Sequence, residues 1–308
     1  MSFSKETKAE ICSAPVKSPE QKKAAAYGMA LFSRTFSASA VSYTTESRPA
    51  AMLYSETISS MTGAIVELRV KMTRRGGENS IFTLSVPDKN DCQRIFEYFG
   101  HSTSRPNLRI NRANIENDEC ISYFLRGVFL VCGNVTDPDK DYHLEFIVPH
   151  KNLAADLEKL ISDIEEVETE PHTVYRKGNY VVYIKGSDNI EDMLAYIGAT
   201  MSSLSIIQSK MLKSVRNRIN RQINSETANI KKTADASAKQ IKAIELIIEK
   251  RGLDFLSDEL RELAELRLEN PEYNLRELGA SLSKPLSRSG VNHRMNKLIM
   301  ISEELSGK

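Results

Sequence analysis

The chain has 308 residues, 41% of them hydrophobic and 27% charged, which is enough apolar material for two domains and rules out the composition of a disordered chain. No run of about 18 apolar residues offers a membrane span, and the polar opening MSFSKETKAEICSAPVKSPEQKK lacks the apolar core of a secretory signal, so a cytoplasmic location is expected. The net charge of +1 hides an asymmetry: residues 1–205 carry 23 Lys and Arg against 27 Asp and Glu, residues 206–308 carry 19 against 14, and Ile206–Arg251 alone carries 11 against 4. A basic C-terminal third beside an acidic remainder points to a polyanionic partner. The four cysteines, Cys12, Cys92, Cys120 and Cys132, form no C-x-x-C pair, so reduced thiols are expected rather than a metal site or a disulfide framework.

Residues 1–19 read as a polar, unstructured N-terminus. The next two stretches, 20–105 and 106–200, read as one unit repeated. The first opens with a helix over Glu20–Phe36, then a short strand near Ala40–Thr45 and a helix near Pro49–Met61. Strands at Ala64–Met72 and Ser80–Val86 flank the turn Arg74-Arg75-Gly76-Gly77, whose glycines tolerate positive φ. Asp88 is a plausible cap for a helix running to Phe99. The second unit follows a loop containing Pro106. It has a helix over Glu119–Cys132, a short strand, a turn at Asp137-Pro138-Asp139 and a strand over Tyr142–Val148. The 3-4 spacing of Leu153, Leu157, Leu160, Ile161 and Ile164 predicts a helix from Lys151. Strands at His172–Arg176 and Tyr180–Lys185 enclose Lys177-Gly178-Asn179, and Asp188 is expected to cap the last helix.

The fold expected is therefore α+β, with an αββαββα unit duplicated about a pseudo-twofold axis and followed by an all-α domain. One detail ties the two units together. Gly28-Met-Ala-Leu-Phe-Ser33 lies 99 residues before Gly127-Val-Phe-Leu-Val-Cys132. A glycine inside an apolar helix costs roughly 1 kcal/mol relative to alanine and is kept where another backbone comes close, so the two helices are expected to pack on each other.

Residues 201–240 read as a basic helical linker and 241–308 as a helical bundle. Arg251-Gly252 ends one helix and Leu256-Ser257-Asp258 opens the next, which stops before Asn270-Pro271. Asn274 caps a short helix, Leu275–Leu282. After the turn Ser283-Lys284-Pro285-Leu286, Ser287 caps a long helix from Arg288 to about Leu305. Two helices joined by a tight turn resemble a helix-turn-helix. On the last one Val291, Met295, Leu298 and Ser302, with Ile299 alongside, should face the bundle. Ser289, Asn292, His293 and Asn296 lie on the other side, flanked by Arg288, Arg294 and Lys297. No acidic residue occurs from Leu278 to Ser302. Arg, Asn, His and Ser supply the donors and acceptors that read base edges in a major groove, and a helix N-terminus attracts phosphate. Arg288, Ser289, Asn292, His293 and Asn296 are the candidates for base contacts, and Lys284, Ser287, Arg294 and Lys297 for the backbone.

Leu275-Arg-Glu-Leu-Gly-Ala-Ser-Leu282 with Ser287-Arg-Ser-Gly-Val-Asn-His-Arg294 resembles the C-terminal domain of the WhiA family, sporulation and cell-division regulators of Gram-positive bacteria. Phe124-Leu-Arg-Gly-Val-Phe-Leu130, Asn134-Val-Thr-Asp-Pro138 and Tyr142-His-Leu-Glu145 resemble that family's central segment. The resemblance spans about residues 20–305. It implies a first part similar to LAGLIDADG homing endonucleases, in which each signature helix ends in an acid that holds divalent metal. Ser33 and Cys132 stand at those positions here, so the resemblance implies degenerate former metal sites, no cofactor and no enzyme. It also implies a nucleoid-associated transcriptional regulator linked to sporulation, cell division and chromosome segregation. Double-stranded DNA is the expected partner, with RNA polymerase, its sigma factor or another regulator as protein partners. The alternatives are a protein-interaction adaptor and an active metal-dependent endonuclease. His101, His143, His150 and His172 show no metal-ligand spacing. No phosphate-binding glycine loop occurs. Arg74 and Arg75 are further candidates for phosphate contact.

Overall fold

The computed structural model describes residues 2–72, 80–104 and 107–307. The Arg74-Arg75-Gly76-Gly77 turn and Pro106 lie outside the described residues.

The opening segment, expected to be unstructured, instead forms α1 (Phe3–Ser13). Its composition is polar, but Thr7 and Ile11, four residues apart on one face, are buried. A second anchor lies at its far end. Glu10 accepts hydrogen bonds from the Met201 N–H at 2.6 Å, the Ser202 N–H at 3.0 Å and the Ser202 hydroxyl at 2.7 Å. These are free donors at the start of the helix Thr200–Arg251. Replacing Glu10 with alanine is expected to lower stability by about 2 kcal/mol, because it strands the donors of buried Ser202 and removes an anion from a helix N-terminus. An unchanged urea midpoint would contradict that role.

Ser18 and Gln21 form a capping box at the start of α2 (Pro19–Leu31), with Pro19 in the first turn. The helix ends at Leu31 and does not run to Phe36 as expected. The residues beyond it, Thr35–Ser37, form β1, which pairs antiparallel with β2 (Ala40–Thr45) and buries Phe36. α3 (Arg48–Thr62), β3 (Glu67–Met72), β4 (Ser80–Ser85) and α4 (Lys89–Tyr98) complete the first half. The second half repeats the order: α5 (Asp118–Cys132), β5 (Gly133–Val135), β6 (His143–Val148), α6 (Lys151–Ser162), β7 (His172–Arg176), β8 (Asn179–Lys185) and α7 (Ser187–Tyr196). The two four-stranded antiparallel sheets have matching orders, β1-β2-β4-β3 and β5-β6-β8-β7. Both halves are thus αββαββα.

Asp88 caps α4 as expected, accepting from the Asn90 N–H at 2.7 Å. Asp188 does not cap α7. Gly186, with φ of 93°, occupies that place, and Asp188 turns to an ion pair with Lys210.

α2 and α5 pack with their backbones in contact. A methyl group on Gly28 would overlap the Phe124 carbonyl oxygen, and one on Gly127 would overlap the Ala25 carbonyl oxygen. Ala25 and Phe124 are themselves 99 residues apart, so the two contacts are exchanged reciprocally between the halves. Around them a single core draws on both halves, including Tyr27, Tyr43, Phe124 and Phe129.

The chain divides into two compact units, Met1–Lys213 and Ser214–Lys308. α8 (Thr200–Arg251) is one continuous helix of 52 residues and belongs to both. The second unit adds α9 (Asp258–Glu269), α10 (Leu275–Ser281) and α11 (Arg288–Leu305). Its core joins Ile244 and Ile247 of α8 to Leu263, Leu278, Val291, Met295 and Leu298. Among the described residues no helix is long and apolar enough to cross a membrane.

Candidate functional site

The pair α10–α11 is built from local signals. Asn274 accepts from the N–H groups of Arg276 and Glu277 at 2.9 and 3.1 Å, and Glu277 accepts in return from the Asn274 N–H at 2.8 Å. Ser287 caps α11 through the Gly290 N–H at 3.3 Å. Between the helices the chain turns back tightly. The Leu286 N–H donates to the Gly279 carbonyl at 2.9 Å, and no methyl would fit on Gly279 beside the Leu286 carbonyl. Glu262 of α9 holds the turn from outside, accepting from the N–H and hydroxyl of Ser283 at 2.6 and 2.9 Å.

This frame sets the faces of α11. Val291, Met295, Leu298 and Ser302 are buried, and Ile299 is half-buried. Lys284, Ser287, Arg288, Ser289, Asn292, His293, Asn296 and Lys297 are all exposed. Asn292, His293, Asn296 and Lys297 share one solvent-facing strip, with Arg288 and Ser289 at its N-terminal end. Arg294 departs from its expected role. It is half-buried, and its guanidinium pairs with Glu259 of α9 at 2.6 Å. A carboxylate at that distance already satisfies the charge, so Arg294 braces the bundle and does not join the exposed strip.

One residue that the sequence reading passed over is Arg267 of α9, only 1% exposed. Its guanidinium donates to the carbonyls of Tyr273, Asn270 and Pro271 at 2.6, 3.3 and 3.4 Å. It thereby shapes the approach to α10. Its spacing from Leu260, Leu263 and Ala264 places it on the buried stripe, and that was the signal for it.

A second location lies at the ends of α2 and α5. Ser33 is buried, and its hydroxyl donates to the carbonyls of Ala30 at 2.7 Å and Thr35 at 3.1 Å. The Cys132 thiol donates to the Val128 carbonyl at 3.4 Å and lines a cavity of about 810 Å³ together with Lys5, Lys8, Arg34 and Tyr43. Lys8 arrives on α1, its ammonium 5.9 Å from the centre of the Phe129 ring. Burial holds that ammonium below its ordinary pKa, opposed by Cys132, Cys12 and Glu46 nearby. Burial also pushes the Cys132 thiol up to about 12 and Cys12 to about 11, with Lys8 the main opposing influence in both cases. These donors do not fit a divalent metal. A hydroxyl committed to two carbonyls and a protonated thiol supply no hard anion. Among the described residues no three His, Cys, Asp or Glu side chains gather into a metal-holding group.

Residues 121–216 match the model of the WhiA LAGLIDADG-like domain, and residues 219–302 match that of the WhiA C-terminal HTH domain. A "Probable cell division protein WhiA" from Thermoanaerobacter sp. (strain X514) is 35% identical over 320 residues, covering 99% of this chain and 98% of that protein. The chain belongs to the WhiA family. A relative of the same description from Clostridium botulinum (strain Hall) is 34% identical, over 85% of this chain and 84% of its own length. The crystal structure of full-length DUF199/WhiA from Thermatoga maritima superposes with a TM-score of 0.58 at 26% identity, covering 99% of both chains. The α+β fold, with its LAGLIDADG-like pair of halves and its helix-turn-helix, is thus the WhiA fold.

Two stretches that carry the WhiA resemblance meet in the second sheet. Asn134 of β5 donates to Glu145 of β6 at 3.5 Å, and Glu145 also pairs with Arg176 at 3.2 Å and with His143 at 3.3 Å. The WhiA cysteines carry a prediction too. With pKa values of about 12 and 11, Cys132 and Cys12 hold almost no thiolate at pH 8. Iodoacetamide is expected to alkylate both at least tenfold more slowly in the native chain than in urea. Equal rates in the two conditions, read by mass spectrometry, would contradict the burial argument.

Proposed function

We propose that this chain is a sequence-specific DNA-binding transcriptional regulator acting in cell division, and that its LAGLIDADG-like part does not cleave DNA. The observation that carries the first half is the acid-free exposed strip of α11 behind a capped, braced helix-turn-helix. Asn292, His293 and Asn296 present hydrogen-bonding groups at a spacing that suits base edges in a major groove. Arg288 and Ser289 extend the strip, and Lys284, Ser287 and Lys297 supply backbone contacts. Support for the second half comes from Ser33, Cys132 and Lys8, whose chemistry suits no metal-assisted hydrolysis. The name shared by the relatives motivates the link to cell division. Control of sporulation and chromosome-segregation genes, a nucleoid location and contact with RNA polymerase or a second regulator are further parts of the proposal.

The test starts from genomic DNA bound by the full chain. On a duplex recovered that way, Asn292→Ala is expected to weaken binding by about 1–3 kcal/mol and to relax discrimination at one position. Lys297→Ala should weaken all duplexes alike and lower the salt slope by about one. A native chain that retains no duplex in dilute buffer would refute the proposal. Incubation of plasmid with Mg²⁺ should leave it intact, and nicking abolished by EDTA would overturn the non-nuclease half.

A further inference from the structure

A groove of about 570 Å³ lies in the second unit, between α8, the N-terminal end of α10 and the start of α11. Lys232, Arg276 and Arg288 line it, with Asn229 and Thr233 alongside and Arg267 behind them, and no Asp or Glu is among its lining residues. Lys232, Arg276 and Arg288 are exposed, and among the described residues none of the three has an ion-pair partner within 4.0 Å. The buried charge behind them has no ion pair within 4.0 Å either, and only the exposed Glu272 acts on it from farther away. The Arg267 side chain spends its hydrogen bonds on neutral carbonyls, and its buried Nε–H has no acceptor. A fixed cation with no carboxylate in contact, behind three exposed cations at one mouth, leaves a surplus of positive charge that an anion would balance.

The shape narrows the class. Two arginines can each grip a planar or tetrahedral oxyanion through paired N–H groups, and the lysine adds a point charge. Three or four positive charges exceed what one carboxylate balances. They suit a phosphate, which carries several acceptor oxygens. We propose that this groove binds a phosphate group and that, when α11 lies on DNA, the group is a backbone phosphodiester of the same duplex. This rests on the DNA-binding reading above and extends it to α8, a helix that the base-reading strip does not include. Arg288, at the N-terminal end of that strip, also lines the groove and joins the two surfaces.

The test uses the full chain and its double variant Lys232→Ala/Arg276→Ala, whose altered side chains are exposed and unpaired. On a duplex bound by the native chain, the variant is expected to bind more weakly on every sequence. Its disadvantage should shrink about 3.5-fold between 50 and 200 mM salt, the change in ion release for one lost phosphate contact. Preference among sequences should not change. In a second arm inorganic pyrophosphate is titrated without DNA, followed by calorimetry. Unchanged DNA binding with pyrophosphate binding lost in the variant would support the phosphate site and assign it to a free phosphorylated ligand. Unchanged behaviour of the variant in both arms overturns the site while leaving α11 as a DNA reader. If the native chain binds no duplex, saturable pyrophosphate binding that the variant loses still supports the groove, and its absence from the native chain overturns it.

Discussion

Replacing Gly127 with alanine is expected to lower the unfolding free energy of residues 1–213 by about 3 kcal/mol, the upper part of the range for overpacking a rigid core. The added methyl meets the Ala25 carbonyl oxygen, a backbone atom of α2 that cannot rotate away, and the Met29 nitrogen lies only 3.0 Å from the new atom. Relief requires α2 and α5 to separate, and the core around Tyr27, Phe124 and Phe129 opens with them. Gly28→Ala should cost a similar amount through Phe124. The double variant should cost less than the sum, because helices already forced apart leave room for the second methyl. Tyrosine fluorescence is a convenient probe, since ten of the 11 tyrosines lie before residue 214. Single variants with native urea midpoints, or a strictly additive pair, would sink the shared contact.

In the second unit Gly279→Ala is expected to have the largest local effect, about 2 kcal/mol. Here the methyl meets the Leu286 carbonyl and sits 3.0 Å from the Val291 side chain. It also threatens the Leu286 N–H bond to the Gly279 carbonyl, which fixes where α11 begins. Hydrogen exchange over residues 278–298 should accelerate, while peptides from residues 20–200 should exchange as before. If α11 reads DNA, a shifted N-terminus misplaces Asn292 and His293, and specific affinity should fall further than stability does. Native protection across the turn would show that the close approach is not needed.

Much of this architecture was legible because it is written in turn chemistry and spacing. Lys177-Gly178-Asn179 announced a hairpin, and the structure gives Lys177 and Gly178 φ values of 51° and 83°. The 99-residue offset between Gly28 and Gly127 marks the helix pair in the sequence itself. What could not be seen depends on distant partners. α1 carries only two fully buried side chains, Thr7 and Ile11, and its anchor, Glu10, meets residues almost 200 positions away. β1 is three residues long, and its Phe36 falls four residues after Phe32, so helical spacing alone merges it with α2. The uninterrupted course of α8 has one signal in the sequence: no glycine or proline occurs from Thr200 to Arg251, although Ser225–Gln240 offers few large apolar residues. On α11 the exposed strip followed from helical spacing. The diversion of Arg294 to Glu259 did not, because α9 supplies the carboxylate.

The reciprocal exchange between Gly28 and Phe124, and between Gly127 and Ala25, has a consequence for descent. Neither copy of the duplicated unit completes itself, since each lends a carbonyl to the other's missing side chain. Mutations at either glycine are therefore screened by the geometry of the twin copy, whose backbone any added side chain would meet. A gene carrying half of the repeat would have to pair with itself to survive.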